Sequence, residues 1–387
     1  MARALASNAL TLLIPVLIAV AGVLAWGQAE YRGAGPLAEA ICVEVPPGAT
    51  MNRMSELLAE RGAISNAMLF RLGADYTGRA AELKAGSFLV QPGASMEEIV
   101  GAITESGRST CGTEVNFRIG VTLAEAVVRE LDPATQDYAE VARFAPAEEE
   151  PPALYLEQLE APGTRFRVTL AEGVTSWQVV ESLRALDLLG GGVAETPAEG
   201  SLAPDSYEVR PGDDKAALIA EMQARQERIL SDLWAARAEG LPLETPQEAL
   251  ILASIVEKET AEAEERPMVA SVFVNRLRQG MRLQTDPTVI YGVTEGRGTL
   301  GRGIRRSELR EATPYNTYVI EGLPPTPIAN PGRRSIAAAL NPAETDYLFF
   351  VADGSGGHAF AETLAEHNEN VARWRAIEAE RRENAGE

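Results

Sequence analysis

Residues 247–260 read Gln-Glu-Ala-Leu-Ile-Leu-Ala-Ser-Ile-Val-Glu-Lys-Glu-Thr, and the run continues to Leu-Gln-Thr-Asp-Pro-Thr-Val-Ile-Tyr-Gly at 283–292. The first half predicts a helix of about four turns, opened by Pro246. Two acids, Glu257 and Glu259, stand near its end. At about 100° per residue they point to nearly opposite faces. Glu259 continues the stripe Leu252, Ile255, Val256, the spacing of a buried face. The neighbours of Glu257 on its own face are Leu250, Ala253 and Ser254, a smaller and less apolar set. Glu259 is therefore the carboxyl expected in apolar surroundings, where burial disfavours charge and raises the pKa. A carboxyl still protonated near neutral pH can act as a general acid. At this level one alternative stays open, a structural carboxylate held by Arg266 or Arg276.

Downstream, Pro267 starts another helix and Gly280 ends it. Residues 281–332 are dense in Gly, Pro and Thr and read mostly as loops, a plausible wall for a cleft beside a buried acid. Ile336 to Leu340 predicts a short helix, Tyr347 to Ala352 a strand, and residues 361–382 a charged closing helix. Upstream, residues 214–239 predict a long helix with Leu218, Ile219, Met222, Ile229, Leu230 and Leu233 on its apolar side.

The N-terminal part opens with Ala9 to Trp26, eighteen residues without a charge. That length suits a membrane span. Only the amino terminus and Arg3 precede it, so the positive-inside rule puts residues 1–8 in the cytoplasm and the rest outside. A cleaved signal peptide, with Gly27-Gln28-Ala29 as cleavage site, is the competing reading. From Cys42 to about residue 106, strand, helix, helix and strand patterns follow one another, closed by a helix bearing Ile99, Val100 and Ile103. A device recurs at Gly48-Ala49-Thr50, Gly93-Ala94-Ser95, Gly120-Val121-Thr122 and Gly173-Val174-Thr175: a turn glycine two residues before a helix N-cap. Glu98, Glu125 and Gln178 would complete capping boxes. The likeness of 120–131 to 173–183 implies an internal duplication. Residues 132–166, rich in Ala, Pro and Glu, read as a mobile acidic linker.

Formal net charge is −21, and no basic run interrupts it, which argues against nucleic-acid binding. Two cysteines and two histidines are too few for an ordinary zinc site, and no nucleotide-binding loop is present, so no cofactor and no metal are implied.

Several motifs closely resemble those of the MltG/YceG-like family of endolytic murein transglycosylases. They are Ala253-Ser254-Ile255-Val256-Glu257-Lys258-Glu259-Thr260, Val272-Phe273-Val274-Asn275-Arg276-Leu277, and Met281 to Gly292. Further on stand Thr313-Pro314-Tyr315-Asn316-Thr317-Tyr318, Gly322-Leu323-Pro324-Pro325, Ile328-Ala329-Asn330-Pro331-Gly332 and Phe350 to Phe360 with His358. A weaker match, Glu199 to Tyr207, has Ala203 where a bulkier residue is common. The resemblance implies an α+β chain: a cytoplasmic tail (1–8), a single transmembrane helix (9–27), a LysM-like module (42–106), a connecting segment with an acidic linker (107–166) and a catalytic transglycosylase domain (167–380). It implies a lyase that cleaves peptidoglycan glycan strands between N-acetylmuramic acid and N-acetylglucosamine, leaving 1,6-anhydro ends. The family's catalytic Glu precedes Thr and falls on Glu259. Gln284, Asp286, Tyr291, Tyr315 and Asn316 lie in the matching loops as substrate-binding candidates, with Glu257 and His358 as secondary ones. Implied partners are the glycan strands, the bacterial inner membrane and peptidoglycan synthases of the penicillin-binding type. Two other functions stay open: a catalytically weak glycan-binding scaffold, and a two-carboxylate hydrolase with Asp286 or Glu257 as second acid. Finally, Cys42 and Cys111 flank the LysM-like module. If they lie outside the cytoplasm, a disulfide between them is expected.

Overall fold

The structure, a computed structural model, describes residues 2–105, 109–161 and 163–385. The boundary expected at residue 106 lies outside them. Two compact units divide the chain. Unit 1 comprises residues 1–115, 127–143 and 151–166; unit 2 comprises 116–126, 144–150 and 167–387.

Unit 1 begins with helix α1 (Ala2–Arg32), then β1 (Ile41–Val45), α2 (Met51–Glu60), α3 (Ala67–Tyr76), β2 (Gly86–Val90) and α4 (Met96–Glu105). Strands β1 and β2 pair antiparallel, Val43 opposite Phe88. Two helices therefore fill the connection between neighbouring strands. Val43, Met54, Leu58, Phe70, Phe88 and Ile103 form the core between the sheet and the helices. The caps are those the turns foretell. The Thr50 side chain accepts from the Arg53 N–H, and Ser95 and Glu98 satisfy each other's backbone N–H groups. Helix α1 has a described apolar stretch from Ile14 to Arg32 with mean hydropathy 1.4, long enough by length and composition to cross a bilayer.

Next come β3 (Thr113–Ile119), β4 (Ala124–Leu131), β5 (Tyr138–Phe144), α5 (Ala153–Glu160) and β6 (Arg165–Leu170), then α6 (Ser176–Arg184) and β7 (Ser206–Val209). A five-stranded sheet runs in the order β5-β4-β3-β6-β7. Two sequence expectations fail here. Residues 124–131 are a strand, not a helix capped by Thr122. The consecutive buried residues Ala126, Val127 and Val128 belong to a strand covered on both faces, and β-branched Val127 and Val128 favour that state. The partner stretch 176–184 is a helix with a complete Thr175–Gln178 capping box, so the two segments are not repeats. Nor are residues 132–166 a linker: they carry β5 and α5, with Phe144 and Tyr155 buried. Composition hid a few well-placed aromatics among the Ala, Pro and Glu.

Unit 2 continues with α7 (Lys215–Ala235), α8 (Pro246–Glu259), α9 (Arg266–Arg278), α10 (Asp286–Thr294), α11 (Arg333–Leu340), β8 (Phe349–Ala352), β9 (His358–Ala361) and α12 (Leu364–Ala385). Helix α8 is its centre. Every residue from Ala249 to Val256 is buried, against Val269, Phe273, Ile328, Ile336 and Leu340 among others. Helix α8 is thus apolar all round, as a helix packed on every side must be. The 322–332 loop is tied to it: the Ser254 hydroxyl accepts from the Ile328 N–H at 3.0 Å. Buried Asn330 fixes the same loop further, accepting from the Leu202 N–H and donating to the Val174 carbonyl, both at 2.9 Å.

Candidate active site

Glu259 is the last residue of α8, and Thr260 already has extended backbone. Its carboxyl accepts a hydrogen bond from the Thr285 hydroxyl. Thr285 is itself fixed, since its N–H donates to Thr317 Oγ1 at 3.0 Å and its carbonyl accepts from Thr288 Oγ1 at 2.8 Å. Burial pushes the Glu259 carboxyl above its ordinary range. The Thr285 bond opposes this, Asp286 adds to it, and the basic groups of His358 and Arg276 pull it down. Its place at a helix C-terminus works in the same direction as burial, because that end carries partial negative charge. The neutral acid is thereby favoured, which is what a proton donor needs.

The two neighbouring basic side chains differ in how they are held. Arg276 is buried and spends its donors on the carbonyls of Leu348 and Leu283, which locks it in place. His358 donates its backbone N–H to Glu265 Oε1 at 2.8 Å, and its Nδ1 lies 2.7 Å from Glu265 Oε2. Glu265 therefore fixes the ring's orientation. Asp286 opens α10, is exposed, and accepts from the Tyr318 hydroxyl at 2.6 Å. Gln284 is exposed too, with left-handed backbone (φ 51°) pinned by its N–H to the Thr317 carbonyl at 3.1 Å. A non-glycine residue in that region is strained, a condition common where a loop serves a site.

Glu257 faces away, and here the sequence reading needs correcting. Its side chain is only 4% exposed, so Glu259 is not the sole buried carboxyl of α8. The difference lies in the partners. Glu257 Oε1 lies 3.4 Å from Arg266 Nη2, and Oε2 accepts from the Gly332 N–H at 2.8 Å. Arg266 also reaches Glu172 at 3.4 Å. Of the two arginines considered as structural anchors, Arg266 thus holds Glu257, while Glu259 is bonded to a neutral hydroxyl. Glu257→Gln should lower stability by about 2 kcal/mol by unpairing part of a buried ion cluster, while turnover stays close to the parent's. Denaturant titration with activity per folded molecule measures both. Loss of turnover at unchanged stability would instead make Glu257 a working acid.

A second cluster surrounds Tyr291. Its hydroxyl donates to Glu199 Oε2 at 3.1 Å, and its ring lies 4.9 Å from that of Tyr315. The Tyr315 hydroxyl is 2.8 Å from Thr326 Oγ1. Burial raises the Glu199 carboxyl despite hydrogen bonds from Ser176 and Tyr291, and burial lowers nearby Lys258. Both tyrosine rings are partly exposed and can stack on a sugar face.

Asn316 does not fit its expected part. It is fully buried, donates to the carbonyls of Glu308 (3.0 Å) and Glu311 (2.7 Å), and accepts from the Tyr318 N–H (3.0 Å). It braces the loop that carries Tyr315 and Tyr318 and cannot touch a glycan. Asn316→Ala should cost about 2–3 kcal/mol through the buried groups left unpaired. A melting curve of the variant, with activity corrected for its folded fraction, checks this. Sequence reasoning passed over Thr285, Glu265 and Tyr318. Thr285 and Tyr318 stand inside the quoted motifs, and their polar side chains were the available signal.

The YceG-like family profile matches residues 43–147 and 142–373. The endolytic murein transglycosylase of Bacillus subtilis (strain 168) is 28% identical over 326 residues, covering 84% of this chain and 82% of that protein. That of Streptococcus pneumoniae serotype 2 (strain D39) is 27% identical over 343 residues, 86% of this chain and 58% of that longer protein. Among solved structures, a YceG-like protein of Listeria monocytogenes is 27% identical, covers 86% of this chain and 99% of its own, and superposes with a TM-score of 0.45.

Proposed function

Since the chain belongs to the YceG-like family, we propose that it is a membrane-anchored endolytic peptidoglycan lytic transglycosylase with Glu259 as its general acid and base. The observation that carries this reading is the Glu259 carboxyl itself: enclosed, raised by burial, and bonded to Thr285 rather than to a cation. In its neutral form it protonates the glycosidic oxygen between N-acetylmuramic acid and N-acetylglucosamine. The bond breaks with positive charge developing at the muramoyl anomeric carbon. The resulting Glu259 carboxylate then takes the proton of the muramoyl 6-hydroxyl, whose oxygen closes on that carbon. The ring that forms is the 1,6-anhydro end, Glu259 is neutral again, and no water is consumed. Thr285 orients the carboxyl throughout. The Tyr291–Tyr315 pair and the exposed Gln284 and Asp286 supply sugar contacts.

A two-carboxylate hydrolase is less well supported. Glu257 is turned toward Arg266 and Gly332, and Asp286 is engaged by Tyr318. Mass spectrometry of glycan strands digested by the purified protein separates the readings. Anhydro ends are expected; reducing ends would make it a hydrolase, and uncut strands a binding scaffold.

The β-α-α-β order of β1, α2, α3 and β2 fits the LysM-like reading of unit 1. A pocket lined by Pro46, Gly48, Thr50, Ala81 and Leu83 offers a place for an N-acetylglucosamine-rich chain. Helix α1 anchors the chain in the inner membrane with residues 1–8 cytoplasmic and the catalytic part outside, where it works beside peptidoglycan synthases.

A further inference from the structure

Helix α3 sits where α1 enters unit 1. The described α1 residues from Ile14 to Trp26 are exposed to their surroundings, and protein contacts begin at Gly27. Those contacts are made to α3 and the turn before it. Leu69 Cδ1 lies 3.5 Å from where a Gly27 Cβ would stand, a Cβ on Gly73 would collide with the Tyr31 ring, and Ser65 donates to Glu30. Tyr31 is buried in the unit's core. The first ionisable residue after the apolar run is Glu30. The hydrocarbon edge of a bilayer spanned by α1 therefore falls near Trp26 and Gly27, the level at which tryptophan prefers to sit. Leu69 is at that level, and Gly73, against Tyr31, stands one turn further out, so α3 rises from it alongside α1.

The side of α3 that faces the core carries Phe70 and Ala74, both fully buried. About 200° away at helical spacing lie Met68, Leu72 and Tyr76, and these are 64%, 58% and 93% exposed. Three large apolar or aromatic residues at i, i+4 and i+8 form one stripe that points away from the unit's core. Nothing in the described residues covers it. A helix with one apolar face in water is unfavourable, whereas at a lipid boundary that face is matched, with tyrosine at headgroup level. The neighbouring Arg71 is turned to Asn52 and Ser55, so the stripe carries no cation for anionic headgroups.

We propose that the Met68–Leu72–Tyr76 face of α3 rises through the interfacial region of the same bilayer that α1 crosses, with Met68 at the hydrocarbon edge and Tyr76 on the outer side, seating unit 1 in the membrane surface. This rests on the anchor reading above and adds to it: the attachment is a helix end plus a docked face, so unit 1 does not swing freely on α1. The contact is apolar, so it does not require anionic lipid.

The test uses the full chain in nanodiscs of neutral phosphatidylcholine. An environment-sensitive fluorophore is placed by cysteine substitution at Met68, Leu72, exposed Ala139 or, as an anchor control, Val20. Labelling is done without reductant. Lipids with a nitroxide near the headgroup should quench labels at 68 and 72 at least about twofold more than the label at 139. The label at 20 should respond instead to a nitroxide deep in the acyl chain. Quenching at 20 but none at 68 and 72 overturns the docking proposal and leaves the anchor standing. Blue-shifted emission at 68 and 72 without lipid quenching means that protein covers the face, and overturns it too. No quenching at 20 removes the anchor, and the proposal with it. With Leu72→Glu in place, the label at 68 should lose its lipid quenching; unchanged quenching would also count against the stripe as the docked surface.

Discussion

Replacing Glu259 by Gln is expected to reduce glycan cleavage by about a thousandfold or more while the fold stays intact. The amide fills the same space and can still accept from Thr285, but it cannot donate an acidic proton and take one back. Stability should move in the opposite direction to activity. Burial raises the Glu259 pKa above its unfolded value, so this group's contribution to stability is fully present below the unfolded carboxyl pKa, near 4.3. It is lost as pH rises through the folded value. The substituted amide has no proton to lose over that range. Glu259→Gln should therefore match the parent's melting temperature in acid and exceed it at neutral pH. The parent's kcat/KM should fall as pH rises through the same folded-state ionisation, because the first step needs the neutral acid. A variant that keeps cleaving, or that loses activity only because it unfolds, would remove Glu259 from the mechanism.

Helix α8 was legible in the sequence because several levels agree there: Pro at its start, a run of apolar residues, and an acid at its last position. What the sequence could not supply was the partner of each acid. Helical phase separated Glu257 from Glu259 correctly, yet inferred a less buried face for Glu257. Only tertiary packing brings Arg266 and the Gly332 N–H onto that face. Asn316 shows the same limit. A polar residue in a cleft loop looks like a ligand contact until its carbonyl partners, five and eight residues back, are known. The largest misreading, at 120–166, came from local signals. A turn glycine followed by Thr can open a strand as well as a helix. Strand β5, with Ala and Glu between its aromatics, looks like linker until its partner β4 is in place beside it.

Cys42 and Cys111 carry the other large expected effect. In the structure their sulfurs are bonded, with Cα atoms 5.5 Å apart and the two residues 69 positions apart in sequence. Cys42 lies in β1, and the segment that carries Cys111 is fastened to β2. The N–H groups of Thr110 and Cys111 both donate to the Ser87 carbonyl, at 2.8 and 3.1 Å. Ser109 Oγ accepts from the Ser87 N–H at 3.0 Å, and Thr110 Oγ1 from the Leu89 N–H at 2.9 Å. These hydrogen bonds bring the two cysteines together, and the bond closes a loop containing α2, α3, β2 and α4. Closing a loop of that length restricts the unfolded chain by about 4 kcal/mol on the chain-entropy account. The paired Cys42→Ser and Cys111→Ser variant is expected to lose that much in denaturant titration of unit 1, with the same loss when the parent is reduced. Reductant should leave the double variant unaffected. Such a bond persists only in an oxidising compartment, so it also reports on which side of the membrane the unit lies. Thiol labelling of protein taken from cells, denatured without reductant, should find no free cysteine. Two labelled thiols would mean a reduced unit and would count against its placement outside the cytoplasm, whatever the glycan assay shows.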